Sequence, residues 1–185
     1  MKRSLAAALT TALVAPLGVV LLSAGPASAQ ELTVTDAQGD VGTRTLDILS
    51  VTVQSLDRQV VAEIEVEDAT RDGNLTVSID PRGGTGVRVI SKFRATGGTK
   101  NYLLRKAFTD QGSSKQKIRC RVRLGHGWSE AGHPVIKLRF PSRCLAGGNY
   151  GALRFAAISS LAHERDVAPV DKHGQVSVSD WVARG

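Results

Sequence analysis

The chain has 185 residues, with 24 Lys and Arg against 17 Asp and Glu, only two Cys, and a formal net charge of +7 at neutral pH. Aromatic residues make up 4% of the chain, which disfavours a nucleic-acid platform built from interleaved aromatic and basic side chains. After residue 22 no segment has the roughly 18 consecutive apolar residues of a membrane helix, so we expect no membrane span.

The first 29 residues have the pattern of a secretory signal peptide. Lys2 and Arg3 precede an apolar run over 5–22, and Ala27-Ser28-Ala29 forms a small-x-small cleavage signal. The alternative, a retained anchor, is disfavoured because the apolar run is short and ends at this signal. We expect residues 30–185 to be a secreted, extracellular, monomeric protein of one domain.

Alternation of period two dominates the remaining sequence and predicts ten short strands. The predicted strands span 32–35, 46–54, 59–67, 75–80, 87–95, 102–106, 117–124, 135–140, 152–159 and 176–182. Segment 125–133 is predicted to be a hairpin connection. Many short strands separated by Gly, Pro, Asp and Asn turns indicate an all-β sandwich or barrel.

Charge is distributed unevenly along the chain. Residues 31–80 contain 11 acids and 3 bases, whereas residues 81–155 contain 2 acids and 16 bases. Such polarity is typical either of a polyanion-binding surface or of oppositely charged regions that pair within the fold.

Segment 117–124 shows the strand alternation most clearly. Its even positions are apolar and are predicted to be buried, whereas its odd positions are basic and are predicted to form one exposed row. The basic set, with two bases of the next strand, is Lys117, Arg119, Arg121, Arg123, Lys137 and Arg139. This row predicts binding of an anionic polymer, and the alternative is neutralisation by Glu63, Glu65 and Glu67 on a neighbouring strand.

The two cysteines, Cys120 and Cys144, both lie in the part of the chain expected to be exported to an oxidising compartment. Only one intramolecular pairing exists for two cysteines, and neither lies in a redox or catalytic motif. We therefore predict one disulfide.

Two carboxylates flank a glycine turn in the segment Asp36-Ala37-Gln38-Gly39-Asp40. Carboxylates at this spacing can converge on calcium, which prefers oxygen ligands. The alternative is an Asx-type turn, in which the side chains accept hydrogen bonds from nearby backbone N–H groups and hold no metal.

The chain resembles secreted actinobacterial proteins of uncharacterised function and, more remotely, DOMON-like and carbohydrate-binding-module sandwiches. The resemblance lies in the signal peptide and in several short motifs. They are the Asp36 to Asp40 turn, Leu46-Asp47-Ile48, Ile79-Asp80-Pro81, Arg143-Cys144-Leu145, Asp166-Val167-Ala168-Pro169 and Trp181-Val182-Ala183-Arg184-Gly185. The resemblance implies an antiparallel jelly-roll-like β-sandwich and structural calcium at Asp36 and Asp40, with Asp166 as a third ligand.

No motif of a hydrolase, metalloprotease or nucleotide-binding enzyme is present in the sequence. We therefore expect a non-catalytic binding or surface-associated module whose partner is an anionic polymer or a polysaccharide of the cell envelope. One alternative is a carbohydrate-binding module that uses Trp128, an aromatic residue in a polar, Gly-rich segment. A second alternative is an extracellular hydrolase of unrecognised type.

Overall fold

The computed structural model describes residues 30–42, 46–68, 72–109 and 116–185. The predicted signal peptide, residues 1–29, lies outside this described part. Eleven strands are present within it. They are β1 (Gln30–Thr35), β2 (Ile48–Ser55), β3 (Gln59–Val66), β4 (Gly73–Pro81), β5 (Val87–Phe93), β6 (Thr99–Arg105), β7 (Arg123–Trp128), β8 (Pro134–Pro141), β9 (Ala152–Leu161), β10 (Glu164–Ala168) and β11 (Val182–Ala183).

The strands form two antiparallel sheets packed as a sandwich. The first sheet has the order β1-β2-β3-β8-β7, and the second has the order β10-β9-β4-β5-β6, with β11 also paired to β9. The predicted all-β antiparallel sandwich with one disulfide is therefore confirmed, with eleven strands in place of about ten.

Alternation along the strands sends one set of side chains into a single core between the sheets. Val51 and Val53 of β2 and Ile64 of β3 enter it from the first sheet, and Ile79 of β4 and Phe155 of β9 enter it from the second. All five are fully buried. Burying a side chain of this size contributes about 1.5–3 kcal/mol relative to leaving it exposed.

The strand predicted over 117–124 is wrong in its bounds, because ladder pairing begins only at Arg123. Residues 117–122, here called the crossing segment, make an isolated bridge between Lys117 and Leu104 and then lead to the first sheet. The predicted alternation is nevertheless present: the odd residues are exposed, and Ile118, Cys120 and Val122 are half-buried against the core. The predicted hairpin loop 125–133 is shorter, since β7 extends to Trp128.

The strand predicted over 176–182 is also wrong. Val176 makes only an isolated bridge with Val170, and Asp171 fixes a turn by accepting hydrogen bonds from the backbone N–H groups of His173 and Gln175. Ladder pairing in this region is confined to the short strand β11. Strand β10 was not predicted, because its first three residues are all charged.

The predicted disulfide is present and joins Cys120 of the crossing segment to Cys144. Cys144 ends a short 3₁₀ turn, Ser142–Cys144, directly after β8. The bond therefore ties the crossing segment to the end of the first sheet. Within the described residues, no helix has the length and hydropathy required to span a bilayer.

Candidate functional site

Three carboxylates converge at one end of the sandwich, and we call this group the acidic corner. Asp36 follows β1, Asp40 lies in the next turn, and Asp166 is the central residue of β10. One oxygen from each side chain lies within 4.8 Å of the others. The structure thus brings together the three residues predicted as calcium ligands, although 126 positions separate Asp40 from Asp166.

Backbone hydrogen bonds fix the positions of these side chains. Oδ2 of Asp166 accepts from the N–H of Ile48 at 2.5 Å, and Oδ1 accepts from the N–H of Val167 at 2.6 Å. Oδ1 of Asp36 accepts from the N–H of Ala37 at 3.0 Å, and the backbone N–H of Asp36 donates to the carbonyl of Leu49 at 2.9 Å. Because Ile48 belongs to the first sheet and Asp166 to the second, the acidic corner lies where the two sheets meet.

Asp47 adds a fourth, fully buried carboxylate beside the acidic corner. Its Oδ2 accepts from the N–H of Gly39 at 2.7 Å, which holds the Asp36 to Asp40 turn against the fold. Its Oδ1 and the Oδ2 of Asp36 are buried, and neither has a hydrogen-bond partner among the described residues. Buried carboxylate oxygens without partners are costly unless a proton or a cation satisfies them.

Burial raises the pKa of Asp166 to about 6 from its ordinary value of 3.8, and the nearby carboxylates of Asp36 and Asp40 add to this rise. The N–H donors of Ile48 and Val167 oppose the shift. Burial also raises the pKa values of Asp36 and Asp47. The group therefore concentrates negative charge that water solvates poorly, and its all-oxygen ligand set suits a hard divalent cation such as calcium.

A cleft of about 660 Å³ lies on the outer face of the first sheet. It is lined by residues of β2, β3, β7 and β8 and by the start of the β7–β8 loop. Its polar, charged and aromatic lining residues include Ser50, Glu63, Glu65, Arg123, Trp128, Glu130, Lys137 and Arg139. We call this feature the sheet cleft.

Trp128 is the main apolar group of the sheet cleft. It ends β7 opposite Pro134, and 74% of its surface is exposed. Gly125 and Gly127 precede it on the same strand and also line the cleft, and a Cβ atom at Gly127 would meet nothing within 4 Å. This wall of the cleft therefore consists of backbone at the two glycines, with the exposed side chains of His126 and Trp128 beside it.

The charged groups of the sheet cleft are only partly neutralised. Lys137 forms an ion pair with Glu63, its register partner on β3, and Glu65 accepts a hydrogen bond from Ser50 Oγ at 3.1 Å. Arg123 and Arg139 are register partners, and both are exposed. Among the described residues, no carboxylate lies within 4 Å of either guanidinium. Two adjacent positive charges thus remain available to a ligand.

The predicted basic row is divided by the structure, which corrects the expectation of one continuous basic sheet face. Arg123, Lys137 and Arg139 line the sheet cleft, whereas Lys117, Arg119 and Arg121 lie outside it on the crossing segment. Lys117 packs over the ring of Tyr102, 4.6 Å from its centroid. The row is divided because residues 117–122 cross from the second sheet to the first, and only from Arg123 onward is the chain part of the first sheet.

The predicted neutralisation of the row by three glutamates occurs at Glu63 alone. Glu65 bonds to Ser50, and Glu67 accepts from Gln38 Nε2 at 3.1 Å. The sequence pattern indicates Glu63 and Glu65 only as counter-charges, whereas in the structure they line the same cleft as Trp128. Their alternation with buried apolar residues on β3, together with the Gly-His-Gly sequence of β7, was the available signal.

Comparison of the chain with protein-family models, with curated proteins and with solved structures finds no match.

Proposed function

We propose that the protein is a secreted, non-catalytic module that binds an acidic polysaccharide of the cell envelope in the sheet cleft. The observation that carries this proposal is that Trp128, Arg123 and Arg139 line the same cleft. An exposed aromatic ring offers its face to the apolar side of a sugar ring, and arginine binds carboxylate or phosphate groups bidentately. The proposal thus joins anionic-polymer binding and carbohydrate binding in one site.

The shape of the cleft favours a chain-like ligand. It is open along the outer face of four strands, and the glycine positions of β7 allow a ligand to approach the backbone closely. A polymer lying along the cleft would stack one ring on Trp128 and place an acidic substituent near the two arginines. Ionic contacts at exposed arginines weaken as salt screens them, whereas stacking persists.

Among the three glutamates of the cleft, the pair on β3, Glu63 and Glu65, is the feature that favours the hydrolase alternative. Glycoside hydrolysis uses a pair of carboxyl groups beside the scissile bond. Here Glu63 is engaged with Lys137 and Glu65 with Ser50, which supports a binding role for this face. Release of reducing ends from the bound polymer would instead support a hydrolase.

We expect Trp128→Ala to weaken binding of a polyuronate about tenfold, equivalent to about 1.4 kcal/mol, with the melting temperature unchanged. Arg139→Gln should weaken binding severalfold and reduce its salt dependence. Isothermal titration with polygalacturonate at two salt concentrations measures both effects, with neutral dextran as the comparison ligand.

Arg121→Gln is the matched control for these variants, because Arg121 is exposed but lies on the crossing segment outside the cleft. It should bind as the parent does. Equal losses of affinity for Arg121→Gln and Arg139→Gln would contradict binding in the sheet cleft. They would indicate that the polymer contacts the bases of the crossing segment as well. Tight binding of dextran by the parent would show that acidic groups are not required.

We also propose that calcium binds at the acidic corner and stabilises the fold. The carboxylates of Asp36, Asp40 and Asp166 would hold the ion, with Asp47 beside them. The buried oxygens of Asp36 and Asp47 without hydrogen-bond partners support this fit. A cation there would join the β1–β2 turn to β10 and thereby the edges of the two sheets.

Calcium at ten times its dissociation constant should stabilise the folded state by about 1.4 kcal/mol and raise the melting temperature by several degrees. Asp40→Asn should abolish most of this response, because it removes one of the three converging carboxylates. Differential scanning fluorimetry in calcium and in chelator measures the effect, with Asp180→Asn as an exposed control. Identical melting curves in both solutions would leave only the turn interpretation of Asp36 and Asp40.

A further inference from the structure

A second cavity, of about 260 Å³, lies beside the disulfide and is separate from the sheet cleft. Three regions form its walls: the start of β5 with the end of β6, the crossing segment, and the turns that follow β8. Arg105, at the end of β6, and Arg143, in the 3₁₀ turn before Cys144, both line the cavity and are exposed. The disulfide between Cys120 and Cys144 lines it too and holds the Arg143 turn against the crossing segment.

The charged residues that line this disulfide cavity are, within the described part of the chain, both basic. Its lining includes two arginines and the hydroxyl of Thr85, and no acidic residue is among the lining residues. All of its walls come from residues 81–155, whose only acid within the described part of the chain is Glu130. Glu130 lines the sheet cleft instead. Among the described residues, both guanidinium groups therefore line a cavity with no carboxylate in its walls.

The side chains of Arg105 and Arg143 form no ion pair with a described residue. By contrast, Arg154 pairs with Asp80 and Arg184 with Asp57. The neighbouring exposed bases Arg119 and Arg121, on either side of Cys120, add to the positive field around the cavity mouth. A small anion entering the cavity would meet two guanidinium groups that have no ion-pair partner among the described residues.

We propose that the disulfide cavity is a binding site for a tetrahedral oxyanion, phosphate or sulfate, held between Arg105 and Arg143. The planar guanidinium group donates paired hydrogen bonds that fit two oxygens of such an anion. A volume of about 260 Å³ admits the anion with part of an attached group. The anion can be free or carried on a polymer, and the site recognises the chemistry common to both.

Inorganic phosphate and inorganic sulfate are the probes that test this site, titrated calorimetrically at constant ionic strength. Arg105→Gln and Arg143→Gln should each weaken binding about tenfold, since each removes a set of charge-assisted hydrogen bonds. Arg94→Gln is the matched control, because Arg94 is an exposed arginine just beyond the opposite end of β5. Trp128→Ala should also leave phosphate binding unchanged, which separates this site from the sheet cleft.

A poly(glycerol phosphate) chain distinguishes the two sources of the anion. Tighter binding per phosphate than inorganic phosphate would support a polymer-borne ligand, and equal binding would support the free anion. No saturable binding of either inorganic anion by the parent protein would overturn the site. Equal losses in Arg94→Gln and Arg143→Gln would also overturn it, because they would reduce the effect to general charge.

Discussion

Replacing both cysteines with serine should lower the free energy of unfolding by about 3 kcal/mol and the melting temperature by about 6–12 °C. The disulfide joins residues 24 positions apart, so its loss restores the chain entropy of that loop in the unfolded state. The same bond holds the crossing segment, which has few other attachments. Its backbone joins the second sheet at the Lys117–Leu104 bridge, which includes the hydrogen bond from Ile118 N–H to the carbonyl of Leu103.

Thermal unfolding and amide hydrogen exchange measure this effect together. Exchange in the double variant should accelerate most over 118–122, where the disulfide replaces ladder pairing, and least in the centre of β9. Ser142→Ala is a useful control, because Ser142 lies in the same turn as Cys144 and donates from Oγ to the carbonyl of Asp57 at 2.8 Å. Loss of this hydrogen bond should cost about 1 kcal/mol. The cysteine double variant should lose clearly more, and a change in its melting temperature below 2 °C would contradict the prediction.

The alternation of β2 and β3 could be read from the sequence because burial and hydrogen bonding coincide in those strands. Each has neighbours on both sides and one face in the core, so the apolar residues mark the strand itself. The crossing segment separates the two properties. Its side chains alternate between core and solvent, although its backbone runs between sheets without a ladder. Alternation in the sequence therefore predicts which side chains are buried, but it does not predict whether the backbone is hydrogen-bonded into a sheet.

Strand β10 shows the opposite case. Its central residue, Asp166, is buried, and backbone N–H groups satisfy both of its oxygens. Because a charged residue occupies its central inward-facing position, the sequence of β10 lacks the apolar alternation that would predict a strand. The Asp36 to Asp40 turn was visible in the sequence, but only the resemblance pointed to Asp166, because Ile48 and Asp166 are 118 residues apart.

The sheet cleft was beyond sequence reasoning for a related reason. It depends on the non-local pairing of β8 with β3, which places Glu63 beside Lys137 and adds the β7–β8 hairpin, with Arg123 beside Arg139, to the first sheet. The local pattern predicted six bases on one face. The switch of sheets at Arg123 leaves three of them in the cleft.

In the presence of chelator, the protein should lose about 2 kcal/mol of stability as the pH rises from 4 to 6.5, the reverse of ordinary acid denaturation. The pKa of Asp166 is about 6 in the folded state and 3.8 in its ordinary environment. At Asp166 the folded state therefore binds more protons than the unfolded state in this window, and the contribution of this group to stability falls as the pH rises. The pKa difference corresponds to about 3 kcal/mol, which partial solvent screening reduces.

Asp36 and Asp47 contribute with the same sign, since burial raises the pKa of each. Asp166→Asn should flatten the dependence, because a neutral amide of the same shape replaces the carboxylate whose ionisation is unfavourable. Its carbonyl oxygen can still accept from one of the two N–H donors, Ile48 or Val167. At pH 6.5 in chelator, this variant should therefore approach or exceed the stability of the parent.

Calcium should reverse the slope. The ion binds ionised carboxylates, so its contribution grows as protons leave the acidic corner, and stability should rise with pH in millimolar calcium. Urea unfolding at four pH values, with and without calcium, gives both slopes in one experiment. A chelated protein whose stability rises from pH 4 to 6.5 would show that the acidic corner is not strained by its own charge. If stability in chelator falls with pH and calcium does not change this slope, the carboxylates of the acidic corner repel one another but do not bind calcium.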